Sequence, residues 1–491
     1  MNHPYDNNWI DVFTRRAFTR HGRTFPRPPQ TICEAVGVSK NTFKLALGVL
    51  YKEAPHPLSK RWNRARGYEP EPMNRLPHPR KIRPWWSRSF RVLWTAALPF
   101  WCAISWAQPP LKDGDRVVFL GDSITGELHY TRQVVDYFTL RQPGTKIHFY
   151  NVGYGGDTAT RRLPRLQSDV LNLKPTVVTI CYGMNDGKDT MDKFKTAMEG
   201  IVRELKRAGV RVVLLTPGCV DPDHDKYQWL KTPTGTYNDT LAQLTKEVLD
   251  LAARENVPVH NLHALMLDVL TRAKKDDPQF VMIPDGIHPD PPGHAVMTYA
   301  LLKALGCKEE ASGLSIDAAN GKAVTDRCRV DGLKVGDEEI TFTRTDEALP
   351  TGFYPDCTPV PRYIPLIEDF NQYRFRVTGL KAAAWKLVVA GMEVGTFSNQ
   401  ELAAGINLAT RPGPWQAMAK KADDLVVKEQ AEFFQRWLYL SQYPAPEHLK
   451  ADLDGFIATA DAHVHRLQEK RFHVADARTW KWTLAVPKGK N

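Results

Sequence analysis

The sequence predicts a three-layer α/β/α sandwich on a parallel sheet, spanning residues 108–308 and followed by a β-rich and helical extension. Three observations point there. Short apolar runs alternate with segments of helical spacing between residues 116 and 305. The runs recur about every 30–35 residues, as strand–helix–strand crossovers require. The runs are apolar on both faces, and Gly, Asp, Ser or Asn follow the first three, as expected where buried parallel strands open into polar loops.

Residues 116–120 (RVVFL) form the first predicted strand, stopped by Gly121, and 126–138 the first helix. Residues 146–152 and 159–171 are the second strand and helix, and 176–181 (TVVTIC) the third strand. In the helix 191–206, Phe194, Met198, Ile201, Val202 and Leu205 fall on one side. Residues 210–215 are a fourth strand, ended by Pro217. A long helix at 237–254, a short strand at 257–260 and helices at 262–272 and 293–305 complete the unit.

The chain has 491 residues, 42% apolar and 25% charged, so its composition is that of globular domains rather than a fibrous or polytopic membrane protein. Its net charge of +11 suggests a polyanion partner only when read whole. Residues 1–107 carry 18 Lys and Arg against 6 Asp and Glu, and the remainder lies within one charge of neutral. No nucleic-acid partner is therefore expected for the rest of the chain. Residues 34–47 (EAVGVSKNTFKLAL) are similar to part of a helix-turn-helix, but their Pro-rich flanks offer no three-helix core.

Residues 80–91 are basic, 92–107 apolar, and Ser105 and Ala107 occupy the −3 and −1 positions of a cleavage site. This is the pattern of a secretory signal peptide. The expectation is a signal at 73–107 beginning at Met73, an upstream extension at 1–72 outside the functional protein, and export to the periplasm or beyond; an uncleaved anchor is the alternative. Seven cysteines are too few for a disulfide scaffold, although Cys328 and Cys357 could pair outside the cytoplasm. No Cys/His spacing suggests zinc, and no metal or cofactor is expected.

The loops after the strands carry the chemistry. They read GDSIT at 121–125, GYGGDT at 153–158 and YGMNDG at 182–187, with PDGIHPDPPGH at 284–294 late in the unit. In a parallel sheet these segments share the carboxyl edge, where ligands bind. They supply a hydroxyl, glycine amides, a carboxamide, a carboxylate and an imidazole, the groups that acyl transfer uses.

These four blocks, GDSI, GGDT, GMND and DGIH in that order, resemble those of the SGNH hydrolases, or GDSL esterases/lipases, over about residues 115–305. The resemblance implies an SGNH/flavodoxin-like fold and assigns roles by position. Ser123 is the nucleophile, His288 the general base and Asp285 its orienting partner. The Ser123 and Gly156 backbone N–H groups and the Asn185 side chain form the oxyanion hole. Asp122 and Asp157 are expected to anchor loops through backbone hydrogen bonds. Gly155, Asp290 and His294 are rivals for the roles of Gly156, Asp285 and His288. The loop 217–235 rims the site and presents His224, Tyr227 and Trp229.

Residues 309–411 read as a β-rich module, with alternation at 373–377 and apolar runs at 385–389 and 392–397. The stretch GTFSNQELAAGINLA at 395–409 is similar to C-terminal extensions of some secreted bacterial SGNH proteins. Residues 412–491 read as a helical region folded back on the rest, with Ala417, Leu425, Phe433 and Trp437 on its packing face. Trp415, Trp437, Trp480 and Trp482 are either core or platforms for sugar. The whole implies a secreted serine esterase for short acyl esters, such as O-acetyl groups of carbohydrates. A lysophospholipase or thioesterase, or a catalytically silent carbohydrate-binding protein, is the alternative.

Overall fold

The structure is a computed structural model describing residues 111–487, apart from 233–234, 308–309, 353–356, 443–449 and 477. The upstream extension, the signal segment and the helix-turn-helix-like stretch lie outside the described residues.

Five parallel strands form the central sheet: β1 (Arg116–Gly121), β2 (His148–Asn151), β3 (Val177–Cys181), β4 (Arg211–Leu215) and, after the small hairpin β5 (Lys231–Thr232) and β6 (Gly235–Thr236), β7 (Val259–His260). Their order is β2-β1-β3-β4-β7. The chain winds outward from β1 to β2, then returns past β1 to β3, so the topological switch lies between β1 and β3, the usual place for a ligand. The inner strands β1, β3 and β4 were legible because they are mostly apolar and buried on both faces, all five residues of β3 among them.

The first predicted helix is two. A single turn, α1 (Ser123–Gly126), follows β1, and α2 (His129–Arg141) begins only after Leu128, which adopts φ 67°. The second predicted helix is also broken. Pro164 lacks the N–H an α-helix needs, and the segment becomes α3 (Ala159–Arg162), a 3-10 turn at Leu163–Arg165 and α4 (Leu166–Asp169). The helices α5 (Met191–Arg207), α6 (Tyr237–Glu255), α7 (Leu262–Asp276) and α8 (Pro291–Ala304) agree with the sequence reading to within four residues at each end.

The extension begins with β8 (Glu310–Asp317), β9 (Lys322–Asp326), β10 (Cys328–Val335) and β11 (Glu339–Asp346). After the short α9 (Leu366–Phe370) come β12 (Gln372–Thr378), β13 (Ala384–Val389), β14 (Met392–Ser398), α10 (Asn399–Ala404) and β15 (Ile406–Asn407). Two long helices, α11 (Pro414–Gln442) and α12 (Lys450–Phe472), precede the last strand, β16 (Thr479–Ala485). Two sheets, β10-β11-β16-β13-β14 and β15-β12-β8-β9, share one core containing Leu314, Phe342, Phe375, Trp385 and Trp482.

The expected helical region 412–491 therefore also supplies a central strand: β16 pairs with both β11 and β13. Trp482 and Leu484 alternate inward from it, a period-2 pattern that had read as a choice between core and sugar platforms. Trp415, Trp437 and Trp482 are buried, and Trp480 packs edge-on against Trp415. Ala417 and Leu425 are not among the buried positions of α11, which are led by Trp415, Ala422, Val426, Phe433 and Trp437. Cys328 is a thiol with its Sγ 3.2 Å from the Gly313 carbonyl, and Cys357 Sγ lies 3.6 Å from that of Pro291, so the suggested Cys328–Cys357 disulfide does not form.

The hairpin α11–α12 covers the edge strand β2. Gln430 Nε2 donates to the Phe149 carbonyl (3.2 Å), and Arg471, paired with Glu429 at 2.6 Å, donates to the Ile147 carbonyl at 2.7 Å. Such cover occupies backbone acceptors that an exposed edge would offer to another chain. Among the described residues no helix is long and apolar enough to cross a membrane.

Candidate active site

The turn after β1 is held by Asp122, whose Oδ1 accepts from the Ile124 N–H at 3.1 Å. Asp122, not Ser123, is thus the N-cap of α1, leaving the Ser123 hydroxyl to another partner. That partner is His288 Nε2, 2.9 Å from Ser123 Oγ. His288 Nδ1 lies 2.8 Å from Asp285 Oδ2. An ionised carboxylate only accepts, so Nδ1 carries the proton and Nε2 is left to accept from Ser123.

Asp285 is locked locally. Its Oδ1 accepts the backbone N–H groups of Ile287 (2.9 Å) and His288 (2.7 Å), around Gly286 at φ +87°. Tyr227 Oη donates to its other oxygen at 3.2 Å. Burial pushes the Asp285 carboxyl up, but the His288 N–H, the His288 imidazole and the Ile287 N–H together outweigh it and hold the group below its ordinary value. Two neighbouring carboxyls go the other way. Burial raises Asp122 to about 7, against the pull of the Ile124 N–H and His288. Burial also raises Asp186 to about 7, although its Oδ1 takes the Ala159 N–H at 2.8 Å.

Gly156 and Asn185 follow β2 and β3, the strands flanking β1. Gly156 adopts φ +67°, whereas Gly155 does not enter the left-handed region, which separates the two rivals. Asn185 Nδ2 donates to the Asp157 carbonyl at 3.1 Å, tying the third loop to the second. Gly153 packs so closely on α1 that a Cβ there would lie 2.2 Å from the Gly126 nitrogen; only glycine lets these two loops meet.

The Asp157 carboxylate bonds side chains and not the backbone N–H groups expected of it, while the residue's own N–H donates to the Tyr154 carbonyl at 3.1 Å. Its Oδ2 meets Arg162 Nη2 at 2.8 Å and accepts from the Tyr182 hydroxyl at 3.0 Å, and its Oδ1 meets Arg165 at 2.8 Å. Arg162 is fully buried and also pairs with Asp169.

Residues 119–296 match the GDSL-like lipase/acylhydrolase family. This segment of the chain belongs to that family.

The GDSL-like unit has relatives named for acetyl esters. An acetylxylan esterase of Geobacillus stearothermophilus is 23% identical over 228 residues, covering 40% of this chain and 96% of that protein. Platelet-activating factor acetylhydrolase IB subunit alpha2 of Homo sapiens is 27% identical over 126 residues, 26% of this chain and 52% of that protein. The solved structure of a gut microbial diltiazem-metabolizing enzyme shares the fold more widely, with a TM-score of 0.67 at 24% identity, over 78% of this chain and 99% of the other. Coverage that wide takes in the extension as well as the GDSL-like unit.

The rivals in the last block sit elsewhere. His294 is fully buried, with Nε2 3.2 Å from Glu127, and Asp290 heads α8. Trp229 packs edge-on against Tyr237, the first residue of α6, and His224 pairs with Asp221. The helix after Ser123 is a single turn, so its dipole adds little; the local N–H groups carry the positive field. Arg162 and Tyr182, which hold Asp157, went unnoticed in the sequence. The five-residue spacing of Asp157 and Arg162 was the available signal.

Proposed function

We propose that the protein is a secreted serine esterase that removes short acyl groups, with O-acetyl groups of carbohydrates as the substrate class. The observation that carries this reading is the unbroken chain Ser123 Oγ–His288 Nε2, His288 Nδ1–Asp285 Oδ2, at 2.9 and 2.8 Å. Ser123 Oγ attacks the ester carbonyl while His288 takes its proton. The negative oxygen that develops is met by the Ser123 and Gly156 N–H groups and the Asn185 amide; one such donor is worth about 3 kcal/mol in the transition state. The imidazolium returns its proton to the departing alcohol. Water, deprotonated by His288, then attacks the acyl-enzyme and releases the acid. Asp285 stays ionised and holds the imidazole in the Nδ1–H tautomer throughout.

Short acyl chains are favoured because both curated relatives are named for acetyl esters. A carbohydrate alcohol is supported by the acetylxylan esterase relationship and by a polar rim, with Glu127 just beyond Ser123 and Tyr227 on Asp285. Export rests on the basic-then-apolar sequence at 80–107.

The test is hydrolysis of p-nitrophenyl esters from acetyl to octanoyl, and of acetylated xylan, by the wild type and Ser123→Ala with and without chelator. Activity on acetyl esters, lost in the variant and indifferent to chelator, is expected. A preference for octanoyl favours the lysophospholipase or thioesterase alternative. A folded wild type inactive on every ester, and unlabelled by a fluorophosphonate, overturns the enzyme reading in favour of a silent binding protein.

A further inference from the structure

The C-terminal helix α11 reaches back to the site at two points. Trp437 is buried and lies over the Arg162 guanidinium, 5.6 Å from ring centre to Cζ. Its indole N–H donates to the Asp169 carbonyl at 3.3 Å. Arg162 and Asp169 are themselves an ion pair, and Arg162 holds the Asp157 carboxylate. The Asp157 carbonyl in turn accepts from the Asn185 amide, and Gly156 precedes Asp157 in the chain. Phe434, one turn before Trp437 and 6.1 Å from it between ring centres, packs on α1: a Cβ at Gly126 would lie 3.5 Å from its ring. Two aromatic residues of one helix turn therefore rest on the turn bearing Ser123 and on the support of the loop bearing Gly156.

We propose that α11 is a positioning element of the active site, with Trp437 fixing the oxyanion loop through Arg162 and Asp157. A buried guanidinium has few arrangements that satisfy both carboxylates, and an aromatic face over it favours the one observed. Without that face, water or a neighbouring side chain enters, the ion pairs rearrange, and Asn185 and Gly156 lose their register. Small displacements of such donors cost rate without changing ground-state binding. This inference rests on the serine-esterase reading and gives the extension a part in it.

The test compares steady-state hydrolysis of p-nitrophenyl acetate by the full protein with that of Trp437→Leu, Trp437→Phe and Phe434→Leu. Val426→Ala, a core substitution three turns earlier in α11, serves as a stability control. Trp437→Leu is expected to lose about ten-fold or more in kcat with little change in KM or in the pH profile, because His288 and Asp285 are untouched. Trp437→Phe keeps a ring over Arg162 and is expected to recover most of that loss. Val426→Ala is expected to lower the thermal midpoint but keep its kcat.

Full kcat in folded Trp437→Leu, or a kcat loss in Val426→Ala that tracks its stability, overturns the proposal. Phe434→Leu removes the ring packed on the turn bearing Ser123 and is likewise expected to lower kcat several-fold at unchanged KM. Should Trp437→Leu fail to fold, Phe434→Leu decides on the same readout, and wild-type kcat in it overturns the proposal. An inactive wild type sinks the esterase reading first; an active wild type with unaffected variants sinks only the role of α11.

Discussion

The Tyr227 hydroxyl and the His288 imidazole share one oxygen of Asp285, at 3.2 and 2.8 Å. Tyr227 comes from the loop after β4, so a rim residue helps set the charge that orients the proposed base. Its hydrogen bond draws density from the carboxylate and weakens its hold on the imidazolium. Tyr227→Phe is expected to move the acid limb of the kcat/KM profile up, with the plateau within about three-fold of wild type, since Tyr227 is exposed and its bond neutral. Asp285→Asn is expected to lower kcat by about 10⁴. A Tyr227→Phe limb that moves down, or an Asp285→Asn enzyme near wild-type rate, contradicts this arrangement.

The two adjacent glycines of the second loop should behave differently. Gly156 sits at φ +67°, where an L side chain costs about 1–2 kcal/mol, although a Cβ there meets no neighbour. Gly155 has open space and no such φ. Gly156→Ala is therefore expected to lower both stability and kcat, and Gly155→Ala neither. Urea unfolding with parallel kinetics checks this, and equal effects at both positions would refute the assignment of Gly156.

Asp186 gives a pH-dependent stability. Its carboxyl is raised from 3.8 to about 7 by burial, so the folded protein holds a proton there that the unfolded chain releases. The contribution is fully present below pH 3.8 and is lost as pH rises toward 7. Asp186→Asn keeps an acceptor for the Ala159 N–H but cannot ionise. Relative to wild type its thermal midpoint is expected to be higher at pH 8 than at pH 5, by the equivalent of a few kcal/mol. A difference independent of pH would count against the raised carboxyl. Asp122, raised to about 7 for the same reason, contributes a slope of the same sign.

Arg162 is a buried charge shared by two carboxylates. Arg162→Met leaves Asp157 and Asp169 with Arg165 as their remaining charged partner, itself partly exposed. The expected loss is about 3–5 kcal/mol of stability, as when one partner is removed from a buried ion pair. Chemical denaturation measures it, and a loss below about 1 kcal/mol would show the network to be dispensable.

The sheet unit and the candidate site residues were legible in the sequence because their signals are local. The inner strands β1, β3 and β4 are short runs buried on both faces, and each candidate group lies within a few residues of a strand end or, for Asp285 and His288, within three residues of its partner. The breaks at Leu128 and Pro164 were less visible, since the apolar period runs through both. What joins distant segments could not be read. The Trp437 N–H finds a carbonyl 268 residues earlier in the chain, and β16 enters the middle of a sheet whose other strands end before residue 399. A buried tryptophan and a sugar-binding one have the same sequence signature, and packing alone separates them. The sequence by itself thus determined the parallel sheet, its family and the groups at its carboxyl edge. Only the tertiary structure decided that the extension braces that edge, because contacts between remote segments depend on how whole layers close over one another.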